Sequence, residues 1–454
     1  MTNIQSIWTR TPEPTPRPGL ARDVKKEAVV IGGGMAGILT AYFLRQEGVE
    51  VMVLERDRVG SGQTENTTAK ITSQHGLIYD FLICQFGEDG AAEYARRNQQ
   101  AISDYESIIS NKAIDCDFQR LPAILYTKNQ PEQLRREEAA ARRLGICCEL
   151  ITETELPFAV AGALKFDDQA QFHPMKFLKA ISSEMEIYEK TPVLRIKGNK
   201  VYIPGGSIEA GVVVIATHFP FVNFPGFYFT RMHQERSYVL ALSHAAKLGG
   251  LYYGIDPDVS WSMRSAGDLL LLGGVNHRTG IMPARDPYET LRLKAEQFWP
   301  GCEEAARWSA QDCMPADHIP YIGQFSRGKA DWYVAAGFKK WGMSHSMVSA
   351  RLLTEEILGS RSGKKSIFDP RRFNLVSLSQ MFKDTAVSAK NLIAAWAGAT
   401  PKCRHLGCHL NWNPFEKTWE CQCHGSRFSQ EGRLLDNPAQ NHLLELEHGE
   451  KPYE

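Results

Sequence analysis

Residues 27–31 (EAVVI) form a short apolar run that predicts a strand. A glycine turn follows, Gly32-Gly33-Gly34-Met35-Ala36-Gly37, and then ILTAYFLRQEG predicts a helix closed by Gly48. A second apolar run over 49–54 ends at Glu55, completing a strand–turn–helix–strand unit of about 30 residues. Segments 88–110 and 131–144 are rich in Ala, Glu, Arg and Gln and predict helices, with a strand or hairpin over 115–127 between them. Short strands are expected over 192–216, turning at Gly205-Gly206 and ending in the buried strand VVVIAT (212–217). Alternating polar and apolar positions with many aromatics over 230–275 predict a β-sheet layer. A strand over 332–337 and a helix over 346–358 come next. Residues 360–372 predict a linker, 375–396 one helix, and 397–454 short segments punctuated by Gly, Asn and Pro. The Pro-rich residues 1–26 predict an extended arm.

The chain has 454 residues, which suggests roughly three domains. Lys+Arg and Asp+Glu are 52 each, so no basic surplus points to nucleic acid. No apolar stretch approaches the roughly 18 residues of a spanning helix. The first residues lack the apolar core of a secretory signal, so the expected location is cytoplasmic. Of ten cysteines, Cys84, Cys116, Cys147, Cys148, Cys302 and Cys313 are scattered and read as idle thiols. Cys403, Cys408, Cys421 and Cys423 fall within 21 residues.

Gly32, Gly34 and Gly37 form G-x-G-x-x-G between a strand and a helix, and Glu55 lies 18 positions after Gly37. Gly32 permits the tight turn, Gly34 lets backbone approach a pyrophosphate, and Gly37 lets helix and strand pack closely. Glu55 would accept hydrogen bonds from an adenosine ribose and repel a 2′-phosphate, which disfavours NADP. The loop does not itself separate FAD from NAD, and a ligand-free glycine turn is the bland alternative. With GSGQTENTTAK (60–70), VVVIAT (212–217) and GFKKWGM (337–343), this unit resembles the FAD-dependent amine oxidoreductases of the D-amino-acid oxidase and glycine oxidase family over roughly 27–360. The resemblance implies an α/β FAD-binding Rossmann-type domain with an inserted antiparallel β-sheet substrate domain. The FAD-binding parts would be about 27–85, 151–225 and 301–360, and the substrate parts about 86–150 and 226–300. It also implies that Thr67, Thr68 and Lys70 lie by the isoalloxazine or its phosphates. Val193 would meet the adenine through its backbone, Arg56 would be a further cofactor-binding residue, and Asp317 would lie under the flavin-side turn. Gly337, Phe338 and Met343 would close over the flavin edge. An N-cap pair for Thr67 and Thr68, and plain core aromatics for Phe338 and Trp341, are the alternatives.

Residues 403–408 read CRHLGC and 421–426 read CQCHGS, a C-x-H-x15-C-x2-H pattern with one further cysteine in each loop. Two turns that each offer a thiolate and an imidazole can hold a binuclear iron site, and Cys₂His₂ also suits zinc. The paired CxHLGC and CxCHGS loops resemble the Rieske [2Fe-2S] proteins. That resemblance implies Cys403, His405, Cys421 and His424 as iron ligands and a Cys408–Cys423 disulfide between the loops. It implies Ser426 as a donor toward a cluster sulfur and Asn437-Pro438-Ala439 as the third loop. A small all-β cluster domain is thus expected over 397–454, after a linker and helix at 361–396. The strands that normally precede the first ligand loop are missing, so this shortened segment is expected to lean on the flavoprotein body.

Hydride chemistry moves electron pairs and a Rieske cluster moves single electrons, so a flavin is the carrier that joins them. This argument favours FAD in the glycine loop. The Rieske potential window of about −150 to +300 mV leaves the direction of flow open. The expected activity is dehydrogenation of an amine or amino-acid CH–NH substrate, with electrons passed singly through the cluster to an external one-electron acceptor. Oxidation of a CH–OH substrate is the runner-up, and a substrate-free electron relay the second alternative. The large layer at 226–300 favours a substrate enzyme. A Rieske oxygenase would need a two-His, one-carboxylate iron site, and the thirteen histidines offer none. Candidate catalytic groups are Tyr238 in ERSYVLAL, facing substrate, and Lys340, facing the flavin; His75 in SQHG would stand near it. Structural roles are the alternative for each.

Overall fold

The computed structural model describes residues 5–10, 16–257, 260–360, 366–398 and 401–443. Parts of the arm, of the 360–372 linker and of the tail after 443 therefore lie outside the described residues. The first predicted unit forms as Val24–Ile31, helix α1 (Met35–Gln46) and Val51–Leu54. Val24–Ile31 pairs in parallel with Gly206–Ile215 on one side and Val51–Leu54 on the other. Lys329–Ala336 and Ile187–Tyr188 continue this eight-stranded sheet in parallel, and Tyr321–Ser326 closes one edge antiparallel. Ala28 to Ile31 are all buried because both faces are covered. Val30 and Val53 meet α1 and helix α2 (Gly342–Ile357), while Val29, Met52 and Val213 face a second core with Trp332.

The substrate-side layer is a nine-stranded sheet. Its order is Glu303–Pro315, Met232–Ser243, Leu269–Arg278, Ser262–Ala266, Leu251–Gly254, Gln119–Thr127, Gly162–Gln171 and Lys70–Ile71, with Cys148–Ile151 beside Gly162–Gln171. The expected antiparallel arrangement holds except where Leu251–Gly254 pairs in parallel with Gln119–Thr127. Three strands in this sheet, at 70–71, 162–171 and 303–315, fall in segments expected to belong to the FAD-binding parts. Their local patterns mark them as strands but carry no information about which strand they pair with. Along Met232–Ser243, Gln234, Arg236 and Tyr238 face one side and Glu235 and Val239 the other, as strand geometry requires.

Helix α3 (Leu375–Trp396) matches its predicted range and leads directly into the cluster segment. There, Leu410–Asn413, Thr418–Cys421, Arg427–Ser429 and Leu434–Asp436 form a four-stranded antiparallel meander. Its core is eight buried residues, four of them the clustered cysteines, too little to stand alone. The segment leans on the large sheet as expected. Arg236 pairs with Glu416, the Gly280 N–H donates to Glu420 Oε2 at 3.0 Å, and Asn411 Nδ2 donates to the Gly280 carbonyl at 2.7 Å. The arm is not simply extended. Ile7–Arg10 form a 3₁₀ turn that buries Trp8, whose Nε1–H donates to the Thr67 carbonyl at 2.7 Å.

Candidate functional site

The glycine loop has the geometry its sequence implies. A Cβ on Gly32 (φ +111°) would fall 2.4 Å from the Ala216 carbonyl oxygen, and one on Gly37 would fall 1.9 Å from the Gly32 carbonyl oxygen. Both positions therefore exclude a side chain and press strand, turn and α1 together. Gly34 differs. It is the N-cap of α1, it supplies no capping side chain, and the nearest atom to a Cβ there is Thr64 Oγ1 at 3.4 Å. This open helix N-terminus suits a pyrophosphate. The Glu55 carboxylate accepts from the Gly33 N–H at 2.7 Å and the Asp57 N–H at 2.8 Å, and burial raises its pKa above the usual value. The residues fit the dinucleotide cofactor.

Around the expected flavin edge the predicted residues divide. Gly337 takes φ +74°, Phe338 is half-buried, and Met343 is buried in the first turn of α2. Thr67 Oγ1 accepts from the Ala69 N–H at 2.9 Å, and Thr68 beside it is half-buried. His75 is buried, stacked on Trp341 with ring centres 4.8 Å apart. Its Nδ1 meets Tyr94 Oη and its Nε2 meets the Thr72 carbonyl, both at 2.7 Å. Burial, with the nearby His345, holds it well below the ordinary imidazole range. Lys340 Nζ lies 3.5 Å from both Glu235 and Asp312, and it keeps its charge because those carboxylates outweigh its burial. Tyr238 does not face this group. It points to the opposite side of the sheet, into the core with Leu240 and Leu291, and its hydroxyl meets His277 Nε2 at 3.0 Å. Strand alternation puts it there. Asp317 is committed to Arg372 and Asn374 at the entry to α3.

Lys70 and Arg264 form a feature the sequence does not advertise. Lys70 Nζ donates to Ser262 Oγ at 2.6 Å and to the Tyr252 carbonyl at 3.0 Å. Burial, then the neighbouring Arg264, lowers its pKa to about 7. Arg264 is buried as well; its Nη1 donates to Gln171 Oε1 at 2.5 Å, while its Nε and Nη2 have no hydrogen-bond partner. Burial alone brings its pKa down to about 9. No carboxylate pairs with either cation among the described residues. Two buried, uncompensated cations are costly unless an anion is held there.

In the cluster segment, the Cys403 N–H donates to the Cys408 carbonyl at 2.8 Å, and the Cys421 N–H to the Ser426 carbonyl at 2.9 Å, closing each ligand loop. The His405 and His424 rings stand edge to face, 4.9 Å between centres. Nδ1 of each is buried without a partner, while His405 Nε2 meets Asn223 Oδ1 at 2.7 Å. Burial brings His405 down to about 3 and His424 to about 4, so both are neutral, the form that binds metal. Cys403 Sγ accepts from the His405 N–H at 3.5 Å, and Cys403 and Cys421 are both buried. Two orphaned imidazole nitrogens and two buried thiols on the two facing loops fit a mixed-ligand binuclear iron site. Cys408, Cys421 and Cys423 have sulfurs within 4.8 Å of one another, and Cys408 and Cys423 are free thiols in the structure rather than the disulfide the resemblance implies.

The cluster loops press on the dinucleotide side of the body. Gln234 Nε2 donates to the His424 and Asn437 carbonyls at 2.7 and 2.9 Å, and Gln311 Nε2 to the Gly425 carbonyl at 2.8 Å. Arg278 donates to the Gln422 and Cys423 carbonyls at 2.9 and 3.0 Å. Asn437 Nδ2 donates to the Thr217 carbonyl at 2.5 Å, one residue past Ala216, on which Gly32 packs. Arg56 Nη2 donates to the Leu435 carbonyl and Gln440 Nε2 to the Val193 carbonyl. Arg56 and Val193, expected beside the cofactor, thus also carry the cluster domain. The amides of Gln234 and Gln311 escape sequence analysis because nothing local distinguishes them from other strand glutamines.

The family model for FAD dependent oxidoreductases matches residues 27–356, and that for the Rieske [2Fe-2S] domain matches residues 384–447. The putative Rieske 2Fe-2S iron-sulfur protein YhfW of Bacillus subtilis (strain 168) is 35% identical over 98% of this chain and 97% of its own length. Glycine oxidase from Geobacillus kaustophilus superposes with a TM-score of 0.65 at 18% identity, covering 77% of this chain and 99% of that one. L-Proline dehydrogenase from P. horikoshii superposes with a TM-score of 0.64 at 18% identity, covering 77% and 98%.

Proposed function

The chain belongs to the FAD-dependent oxidoreductase family and carries a C-terminal Rieske [2Fe-2S] domain, and we propose that it dehydrogenates an amine or amino acid and delivers the electrons singly through the cluster to an external acceptor. When bound, FAD accepts the hydride pair and the [2Fe-2S] centre conducts one electron at a time. The observation that carries the reading is the docking. The ligand loop at 421–426 is clamped to the body by Gln234, Gln311 and Arg278, and the third loop is bonded to Thr217, just past the strand Gly206–Ile215 and next to Ala216, on which the glycine turn packs. A domain held this way serves its own flavoprotein.

The chain's residues supply binding and orientation. The open N-terminus of α1 and Glu55 hold the dinucleotide, and Cys403, His405, Cys421 and His424 hold the iron. Lys70 and Arg264 attract a carboxylate, which favours an amino-acid-like substrate over a simple amine. Lys340 is fixed by Glu235 and Asp312 at the turn that closes over the flavin.

The test is anaerobic flavin bleaching with a panel of amines, amino acids and hydroxy acids, repeated on His424→Ala. Amino acids should bleach both proteins, while reduction of a one-electron dye should be lost in the variant. Bleaching by hydroxy acids alone refutes the substrate class, and an unchanged dye rate in a variant shown to lack the iron signal refutes the electron route.

A further inference from the structure

Helix α3 is built inside out. Three of its four buried positions are polar, Ser377, Asp384 and Asn391, seven residues apart on the face toward the body, and the fourth is the small Ala395. Asp384 pairs there with Arg278 and His233, and Asn391 Nδ2 meets Gln422 Oε1 at 3.3 Å. Its outward face is apolar: Leu375, Phe382, Ile393 and Trp396 are 79%, 73%, 67% and 87% exposed. These four lie within one narrow stripe at 3.6 residues per turn. A water-facing stripe of this kind costs solubility and signals a surface that is covered in use.

A second exposed apolar group lies in the loop on which the helix packs. α3 packs on the turn at Tyr228–Thr230. In that loop Phe224 and Phe227 are 62% and 45% exposed, with ring centres 5.0 Å apart. Phe229 joins them, and its ring lies 6.2 Å from His405 and 5.7 Å from His424. This loop patch therefore abuts the iron-ligand loops.

Charge identifies the occupant. Residues 375–410 hold four basic side chains (Lys383, Lys390, Lys402, Arg404) and one acid, in a chain whose overall balance is zero. The acid is Asp384, buried in its ion pair. Lys383, Lys390, Lys402 and Arg404 are exposed. A second copy meeting this face would bring like charges together. An anionic bilayer offers an apolar bed and the opposite charge at once. No helix among the described residues is long and apolar enough to cross a membrane, and a helix lying in the interface need not cross it.

We propose that the outward face of α3, with the 223–229 loop, lies in the headgroup region of an anionic membrane and brings the iron-ligand loops to its surface. The helix lies flat, Phe382 and Trp396 enter the acyl boundary, and Lys383 and Lys390 pair with lipid phosphates.

The test is co-sedimentation of the holoprotein with phosphatidylcholine vesicles, with and without phosphatidylglycerol. Binding should require phosphatidylglycerol and weaken with salt. K383Q/K390Q should weaken it roughly 25-fold, at about fivefold per charge. F382S/W396S should weaken it at least about tenfold through lost apolar burial. Both variants should keep flavin and cluster absorbance and wild-type dye reduction, which separates this proposal from the electron route. No pelleting with phosphatidylglycerol vesicles overturns it. So does equal binding to phosphatidylcholine alone, or a vesicle-free dimer that F382S/W396S dissociates.

Discussion

Glu416→Gln isolates what holds the cluster domain to the body. The Glu416 carboxylate is bound by Arg236, by Arg427 Nη2 at 3.1 Å, and by the Tyr288 hydroxyl at 3.3 Å. Arg236 and Glu416 side chains are only 1% and 7% exposed, so solvent screens little of the interaction. Burial by itself would raise the Glu416 pKa, but Arg236 and Arg427 bring it to about 2, against 4.5 for an unperturbed glutamate. At about 1.4 kcal/mol per pKa unit, this corresponds to about 3 kcal/mol. Breaking a buried pair by removing one partner typically costs a similar 3–5 kcal/mol or so. The folded value lies below the unfolded one, so this stabilisation is complete above about pH 4.5 and is lost as pH falls through about 2. The variant should shift local opening of the cluster segment by about a hundredfold. Amide hydrogen exchange of the holoprotein reads this directly. Amides of Thr418–Cys421 and Arg427–Ser429 should exchange about a hundredfold faster at neutral pH, with Val24–Ile31 unchanged, and the gap between variant and wild type should narrow toward pH 2. A change under about threefold, or one spread evenly over both sheets, would show that the pair does not anchor the domain.

Two further outcomes follow from the same contacts. Gly37→Ala should purify without flavin, because its Cβ would sit 1.9 Å from the Gly32 carbonyl oxygen, while the iron-cluster spectrum persists; absorbance of the purified variant checks it. If Lys70 helps hold a substrate carboxylate, its attraction fades as pH rises through about 7, so KM for an amino acid should climb above that pH. Lys70→Met should raise KM at low pH and flatten that rise, as a KM profile would show.

Much of the molecule is legible in one dimension. The glycine loop carries its reason in sequence, since a Cβ at Gly32 or Gly37 has no room in any strand–turn–helix unit of this kind. The ligand loops are equally explicit, because cysteines and histidines crowded at fixed spacing have few uses other than metal. Tyr238 shows where such reading ends. Its strand is predictable, but the face it presents depends on what packs on each side of the sheet. Gln234 and Gln311 show the same limit, as their amides matter only because the cluster loop arrives opposite them.

Local chemistry therefore settled the two cofactor sites, whose residues lie close together along the chain and act over a few ångströms. Chain folding settled the rest: that the third cluster loop meets the strand beside the glycine turn, that two cations with no carboxylate partner among the described residues are buried together, and that α3 turns its polar stripe inward. Each of these depends on contacts between residues tens to hundreds of positions apart, and hydrophobic periodicity says which residues want burial without saying against what.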